Sequence, residues 1–221
     1  SEIDWFVERK FREILESNPH INEIHQVNLK SIKESKSLFL LLQELRKIRK
    51  LGKYDLVIDM QGLLKSALIA RMIPSNVTFG FDKNSLRESL AAKFYNQTYK
   101  MDYAKNVIER NLALVSYAIK LPIKKEDIYH KLPFLYSSRE YSFDYISSTK
   151  NSVLLIPGAS YHSKIYPVEQ YARLTKQIDA NFLVIWGNEE EKLIADQIKF
   201  LSPNVNVMNK LSIDELISLI T

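Results

Sequence analysis

The sequence predicts an α/β protein built on parallel sheets in two Rossmann-like units, and three observations carry that expectation. Short runs rich in β-branched and aromatic residues alternate along the chain with stretches of helical spacing. Several of these runs end in a polar loop that leads straight into a helix, which is the order of a βα unit. Residues 121–150 lose all clean period and carry Pro122, Pro133 and paired serines at 137–138 and 147–148, marking a crossing between two units. The expected organisation is a first unit over 1–136, a linker over 137–150 and a second unit over 151–221.

Ile3 to Val7 reads as a strand, followed by a helix from about Glu8 to Glu16, and Asn22 to Val27 is a second short strand. Leu38 to Leu51 is a long helix with Leu or Ile at 38, 41, 42, 45 and 48. Its other face carries Arg46, Lys47, Arg49 and Lys50, with Lys53 just beyond. Such a run is ordinarily a solvated face, but it lies just upstream of the turn that organises the chain and could hold an anionic acceptor there.

That turn follows Tyr54 to Asp59, which has the composition of a buried parallel strand, and it opens a helix over 62–73. The hand-over gathers Asp59, Gln61 and, one turn into the helix, Lys65. Open α/β sheets place ligands at this end of a strand, while the plain alternative is that Asp59 and Gln61 only cap the helix. Val77 to Phe81 is a fourth strand running into the polar loop 82–88. There Ser85 or Asn84 can cap a helix to about Tyr95, with Glu88 closing a capping box and Arg87 left to another purpose. Asp102 to Lys120 reads as a helix in which Glu109 can pair with Lys105, leaving Arg110 unassigned.

Ser152 to Ile156 restarts the alternation as a buried strand, the loop 157–164 follows, and Pro167 opens a helix at its first position. Asn181 to Trp186 is the next strand, Gly187 to Glu191 its loop, and a helix then runs to about Phe200. Val205 to Met208 is a last strand, and Ser212 caps a last helix. In the loop 157–164, backbone N–H groups near Gly158 and Ser160, with Lys164, can face a diphosphate. Taken alone, the loop is better read as a plain surface loop with a solvated lysine.

Composition narrows the classes. With 221 residues, 46% apolar and 26% charged, the chain can bury one large core or two smaller ones. No apolar run reaches transmembrane length, and the first residues lack the features of a signal peptide. Zero cysteines exclude disulfides and thiolate metal sites within these residues. Five glycines and no G-x-G-x-x-G leave the dinucleotide fingerprint missing, which argues against a dehydrogenase. A net charge of +5 and a pI near 9.1 point to anionic partners: phosphorylated ligands, nucleic acid or an acidic membrane surface.

Taken together, Asp59-Met60-Gln61-Gly62-Leu63-Leu64-Lys65-Ser66, Gly80-Phe81-Asp82 with Arg87-Glu88, and Val107-Ile108-Glu109-Arg110 resemble the N-terminal domain of the ADP-heptose:lipopolysaccharide heptosyltransferases, glycosyltransferase family 9. The second half agrees. Lys164 to Tyr171 resembles the family's K-x-W-P-x-E-x-W motif with Tyr166 in place of Trp, and Trp186-Gly187 precedes an acidic cluster as in the family.

The resemblance implies a GT-B architecture, two Rossmann-like halves facing across a cleft, with the acceptor on the first half and the nucleotide sugar on the second. It implies an inverting glycosyltransferase that moves L-glycero-D-manno-heptose from ADP-heptose to a Kdo residue of Kdo-lipid A in lipopolysaccharide core biosynthesis. Ser160 and Lys164 fall where the family contacts the donor diphosphate, Lys164 stabilising the leaving group. Glu189 falls where the family holds the ribose, and Leu211 where it lines the adenine pocket. Arg87 and Arg110 match acceptor contacts, Gln61 and Lys65 belong to the acceptor-side turn, and Asn106 stands where the family has histidine.

The general-base aspartate of the family's S-x-G-D loop is expected upstream of Ser1, and a D-T-G-x-x-H segment is expected beyond Thr221, so the sequence reads as an interior portion of a longer protein. No cofactor is implied, with loosely bound magnesium as the open alternative. The implied location is cytoplasmic, peripheral on the inner membrane, without nucleic acid as a partner. The competing readings are another GT-B transferase, either a later-acting heptosyltransferase or a UDP-sugar enzyme, and a basic nucleic-acid-binding protein.

Overall fold

The computed structural model describes residues 2–27 and 38–221. Its contacts divide the chain into two compact units, Gln26–Leu132 and Ser1–His25 with Pro133–Thr221. Sequence patterning grouped 1–136 together; in the structure the first segment packs with the second half of the chain. The 3-10 helix Arg9–Ile14 packs against the last helix, the Asn18 amide donates to the Phe134 carbonyl (3.3 Å), and the His20 ring sits edge-on to Tyr136. Strands β1 (Asp4–Glu8) and β2 (Glu23–Val27) pair with each other in a two-stranded sheet.

In the unit Gln26–Leu132, β3 (Tyr54–Ile58), β4 (Ser75–Phe81) and β5 (Gln97–Tyr99) form a parallel sheet in that order. Leu56 is in register with Val77, Ile58 with Phe79, and Phe81 with Tyr99. Helix α1 (Leu38–Arg49) precedes β3, α2 (Leu64–Met72) crosses from β3 to β4, and α3 (Val107–Ile119) follows β5. Ala67 of α2 is fully buried against Ala91 and Tyr95, so two methyl-sized side chains let α2 come close to the 3-10 helix Ser89–Phe94. The side chain of Asn106 caps α3 by accepting from the Ile108 N–H (2.8 Å), and Lys120 ends the helix in the left-handed conformation at φ 56°. A short helix α4 (Lys125–Tyr129) follows.

In the other unit, β6 (Ser152–Leu155), β7 (Asn181–Val184) and β8 (Asn206–Val207) form a second parallel sheet in that order. The middle strand is apolar on both faces, as a strand covered on both sides requires. Phe182 and Val184 pack with Leu155, Ala195, Ile198 and Val205, the side on which α5 (Val168–Gln177) and α6 (Glu189–Leu201) lie. Leu183 and Ile185 face the other way, onto Met208, Leu211 and the Leu216 and Leu219 side chains of α7 (Ile213–Ile220). Ser212 caps α7 as expected, and Glu215 closes a capping box with it.

Several elements differ from the sequence expectation. The helix expected over 8–16 is the 3-10 helix Arg9–Ile14, and the one expected from residue 85 is the 3-10 helix Ser89–Phe94. Ser85 and Glu88 do not form the expected cap. Ser85 donates to Asp82 (2.5 Å), and the Glu88 carboxylate accepts the Leu64 N–H (2.7 Å) at the start of α2. The Ser85 hydroxyl also accepts the Met101 N–H (2.8 Å), so both acceptors are spent on distant donors and no box is left to start an α-helix at 85. Pro167 is the residue before α5 and not its first helical residue, with ψ 139°. The strand β5 was not expected at all.

Candidate functional site

The turn after β3 is held by one carboxylate. Asp59 is 6% exposed, and its Oδ1 accepts the backbone N–H groups of Gln61 (2.9 Å) and Gly62 (3.2 Å). Its Oδ2 accepts the hydroxyls of Ser66 (2.8 Å) and Tyr95 (2.8 Å). Gly62 is at φ +66°, which lets the chain reverse into α2 without a Cβ penalty. Gly80 on the neighbouring strand lies against the Tyr95 ring, where a Cβ would come within 2.2 Å of it. Burial, then the adjacent Asp59 charge and its hydrogen bond, push the Tyr95 hydroxyl well above its ordinary value of 10. Asp59 thus spends its lone pairs on the turn itself; it does not cap α2, whose N-cap is Leu63, and it is not left free for a ligand.

Beside this turn lies a cavity of about 240 Å³. Gln61, Arg87, Tyr103 and Arg110 line it with Phe81 and Asn111, and no carboxylate does. Arg110 is built into its wall. Its guanidinium carbon is 4.7 Å from the Phe81 ring centroid and 4.7 Å from that of Tyr103, and Nη2 donates to the Ser85 carbonyl (2.5 Å). The Nε of Arg110 is buried with no hydrogen-bond partner among the described residues. Two guanidinium groups and two amides around a concavity without counter-charge have the chemistry to suit an anion. Gln61, Arg87 and Arg110 therefore come together, while Lys65 is exposed on α2 and is not among the lining residues.

In the other unit, the remaining candidates follow the carboxyl ends of three adjacent parallel strands, the edge where α/β sheets bind ligands. Ser160 is exposed on the loop after β6, and Lys164 ends the 3-10 helix His162–Lys164 with its ammonium 5.4 Å from the Tyr161 ring centroid. Glu189 is exposed as the first residue of α6, behind the N-cap Asn188. Leu211 is half-buried after β8, against Met208 and Ile185.

The structure adds Glu191 to this edge. Its carboxylate accepts the Gly187 N–H (2.7 Å) and occupies the space beside Gly158, where a Cβ would come within 2.3 Å of it. The loops after β6 and β7 are thereby braced on one side chain. Trp186 is fixed by its indole N–H to the Met208 carbonyl (2.8 Å). Tyr166 lies edge-on to Tyr171 at 5.1 Å, and burial followed by this neighbour raises the Tyr171 pKa.

Tyr95, Tyr103 and Glu191 escaped sequence reasoning: Asp59 lies 36 residues from Tyr95, and neither the stacking of Tyr103 on Arg110 nor the packing of Glu191 beside Gly158 follows a local pattern. For Tyr95 a signal existed in Gly80, a residue that leaves room for a ring on an otherwise bulky strand. Among the described residues, Asp4, Glu23 and His25 offer donor atoms within 4.8 Å of one another. However, Asp4 faces His25 Nε2 (3.4 Å) and Glu23 faces Nδ1 (3.6 Å), so the two carboxylates address opposite edges of the ring.

The family model described as glycosyltransferase family 9 (heptosyltransferase) matches residues 42–221. The chain is 38% identical over 234 residues to lipopolysaccharide heptosyltransferase 1 of Campylobacter coli, covering 98% of this chain and 66% of that one. It is 28% identical over 218 residues to lipopolysaccharide heptosyltransferase 1 of Pseudomonas aeruginosa, covering 96% of this chain and 60% of that one. It thus spans about two thirds or less of the length of these relatives. In structure it is similar to E. coli heptosyltransferase WaaC with ADP-2-deoxy-2-fluoro heptose, at TM-score 0.77 and 22% identity over 97% of this chain and 69% of that chain. The α/β class with parallel sheets and the GT-B fold type stand on this likeness. The chain belongs to glycosyltransferase family 9, the heptosyltransferase family.

Proposed function

We propose that the protein containing this chain transfers L-glycero-D-manno-heptose from ADP-heptose to a Kdo residue of Kdo-lipid A. The family match over 42–221 carries the reading. Its chemical support is the arginine-lined cavity at the carboxyl end of β3 and β4, fit for an anionic sugar acid. The relative solved with an ADP-heptose analogue supports ADP-heptose as donor. In this reading the acceptor binds to the unit Gln26–Leu132 through Arg87, Arg110 and Gln61. Lys65, exposed on α2 and outside the cavity lining, is kept as an acceptor contact on the family resemblance alone. The donor binds to the other unit through Ser160, Lys164, Glu189 and Leu211.

An acceptor hydroxyl oxygen attacks the anomeric carbon, the carbon–oxygen bond to the diphosphate breaks, and ADP departs as the hydroxyl proton passes to a base. No carboxylate lines the arginine cavity, so the cavity orients the acceptor and the base is a separate group. Charge grows on the leaving diphosphate, and Lys164 with the loop N–H groups opposes it more in the transition state than in the ground state. These protein groups suffice without a cofactor, and turnover that survives a chelator is the expected result; loss of turnover would assign magnesium the diphosphate. A lipid-linked acceptor places the enzyme peripherally at the cytoplasmic face of the inner membrane.

Thermal unfolding with nucleotide sugars tests the donor. At one hundred times its dissociation constant a ligand adds about 2.7 kcal/mol, or roughly 5–10 °C for a chain of this size. ADP-heptose and ADP are expected to protect and UDP-sugars not to; the reverse order would assign the chain to a different donor.

A further inference from the structure

We infer that the solvent face of α1 docks the protein on an anionic phospholipid surface. The inference deepens the proposed use of a lipid-linked acceptor and rests on that reading for its purpose. Ile48 is the buried side of α1 at 5% exposure, and the opposite side carries Phe39, Leu42, Gln43, Arg46 and Lys50 at helical spacing. Phe39 is 71% exposed and Leu42 45%, which leaves an aromatic and an aliphatic side chain in water at the amino end of the helix.

The carboxyl end is basic. Residues 38–53 hold Arg46, Lys47, Arg49, Lys50 and Lys53 against a single carboxylate, Glu44. Lys47 is paired with Glu44 at 2.7 Å, and Arg49 leans on the Met72 sulfur at 3.7 Å. Arg46, Lys50 and Lys53 are exposed and make no ion pair among the described residues.

A phosphodiester backbone would use the cations and leave Phe39 and Leu42 exposed. A bilayer uses both, because the apolar side chains enter the boundary between headgroups and acyl chains while the cations stay with lipid phosphate. Lys and Arg side chains near such a surface each contribute about fivefold in partition.

The test is flotation of the full chain with phosphatidylcholine vesicles, with and without about one third phosphatidylglycerol, at low and high salt. Binding only to the anionic vesicles, weakened by salt, is expected. Replacing Arg46, Lys50 and Lys53 together by Gln should lower partition on the order of 100-fold. Phe39→Ser should lower it severalfold with the charges intact. A charge-matched control replaces Lys83, Lys93 and Lys100 by Gln and should bind nearly as the parent does. Glutamine keeps helix propensity, and matched far-ultraviolet spectra verify the fold.

Equal loss in both triple variants would reduce the effect to net charge and overturn the docking face. Equal binding to neutral vesicles, or binding to duplex nucleic acid without vesicle binding, would overturn it too. ADP-heptose protection measured on the same proteins separates the two readings: docking without protection leaves the surface standing and removes the heptosyl donor.

Discussion

Removing the Asp59 carboxylate probes how the acceptor-side turn is built. In Asp59→Ala, the Ser66 hydroxyl can turn to the Leu63 carbonyl at 2.9 Å, and water can reach the Gln61 N–H, which is only part-buried. The Gly62 N–H and the Tyr95 hydroxyl are buried and lose their acceptor. Each orphaned buried donor costs about 1–3 kcal/mol, so the loss is about 4 kcal/mol, a fall in melting temperature of roughly 8–16 °C for a chain of this size. Asp59→Asn keeps an oxygen for the two N–H groups and offers an amide to two hydroxyls that can rotate to accept. It is expected to cost only about 1–2 kcal/mol, the charge-assisted share of the bonds.

Tyr95→Phe removes one donor, and in the double variant with Asp59→Ala it deletes the orphan, so the combined loss should fall short of the sum by about 1 kcal/mol or more. Urea denaturation of the four proteins measures this. Asp59→Ala within about 1 kcal/mol of the parent, or strict additivity in the double variant, would refute the reasoning. The same pair predicts an alkaline limb. The native Tyr95 hydroxyl stays protonated above pH 10 while the unfolded chain ionises near 10. The stability it contributes is full below pH 10 and is lost as pH rises, by about 1.4 kcal/mol per unit relative to Tyr95→Phe.

Three further outcomes follow from other parts of the fold. Gly80→Ala forces the Tyr95 ring aside and should cost about 3 kcal/mol in denaturant, whereas Gly52→Ala, with nothing within 4 Å of its Cβ, should cost almost nothing. Among the described residues the Lys164 ammonium meets the Tyr161 ring and makes no ion pair, so Lys164→Ala should leave the melting temperature unchanged and lower turnover on the order of 10²-fold; unchanged turnover removes the leaving-group role. The Asp214 carboxyl is held below its ordinary value of 3.8 by the Ser138 hydroxyl and N–H and then the Tyr141 hydroxyl. Its contribution is present above that pH and lost as pH falls through the lowered pKa, so Asp214→Asn should flatten the acid limb of a pH–stability curve.

The parts of this fold written in runs of one period were legible. β3, β6 and β7 are parallel strands whose apolar runs of Leu, Val, Ile and Phe announced them, and Ser212 announced the start of α7. β5 escaped because Gln97-Thr98-Tyr99 is too short and too polar to show alternation, and it is a strand only because β4 supplies hydrogen bonds. Glu88 misled for a related reason: three residues from Ser85 it resembles a box, yet it caps α2 from 24 residues away.

At the site, the sequence placed Gln61 and Arg87 in the loops that follow two strands and Arg110 on a later helix, and the structure gathers the three around one cavity. The rings that hold Arg110 and the tyrosine that holds Asp59 lie in other segments, and no local pattern links them. The basic character of α1 was plain in sequence. Which cations make no ion pair among the described residues, and that Phe39 is exposed on the same face, needed the structure.

The central claim is heptosyl transfer, and the most direct measurement is ADP release from ADP-heptose with Kdo-lipid A as acceptor. The protein assayed carries these residues within its complete reading frame, beside its Lys164→Ala variant. ADP release that requires Kdo-lipid A and falls on the order of 10²-fold in the variant is the predicted result. No release from ADP-heptose under conditions where a UDP-sugar is turned over would contradict the account.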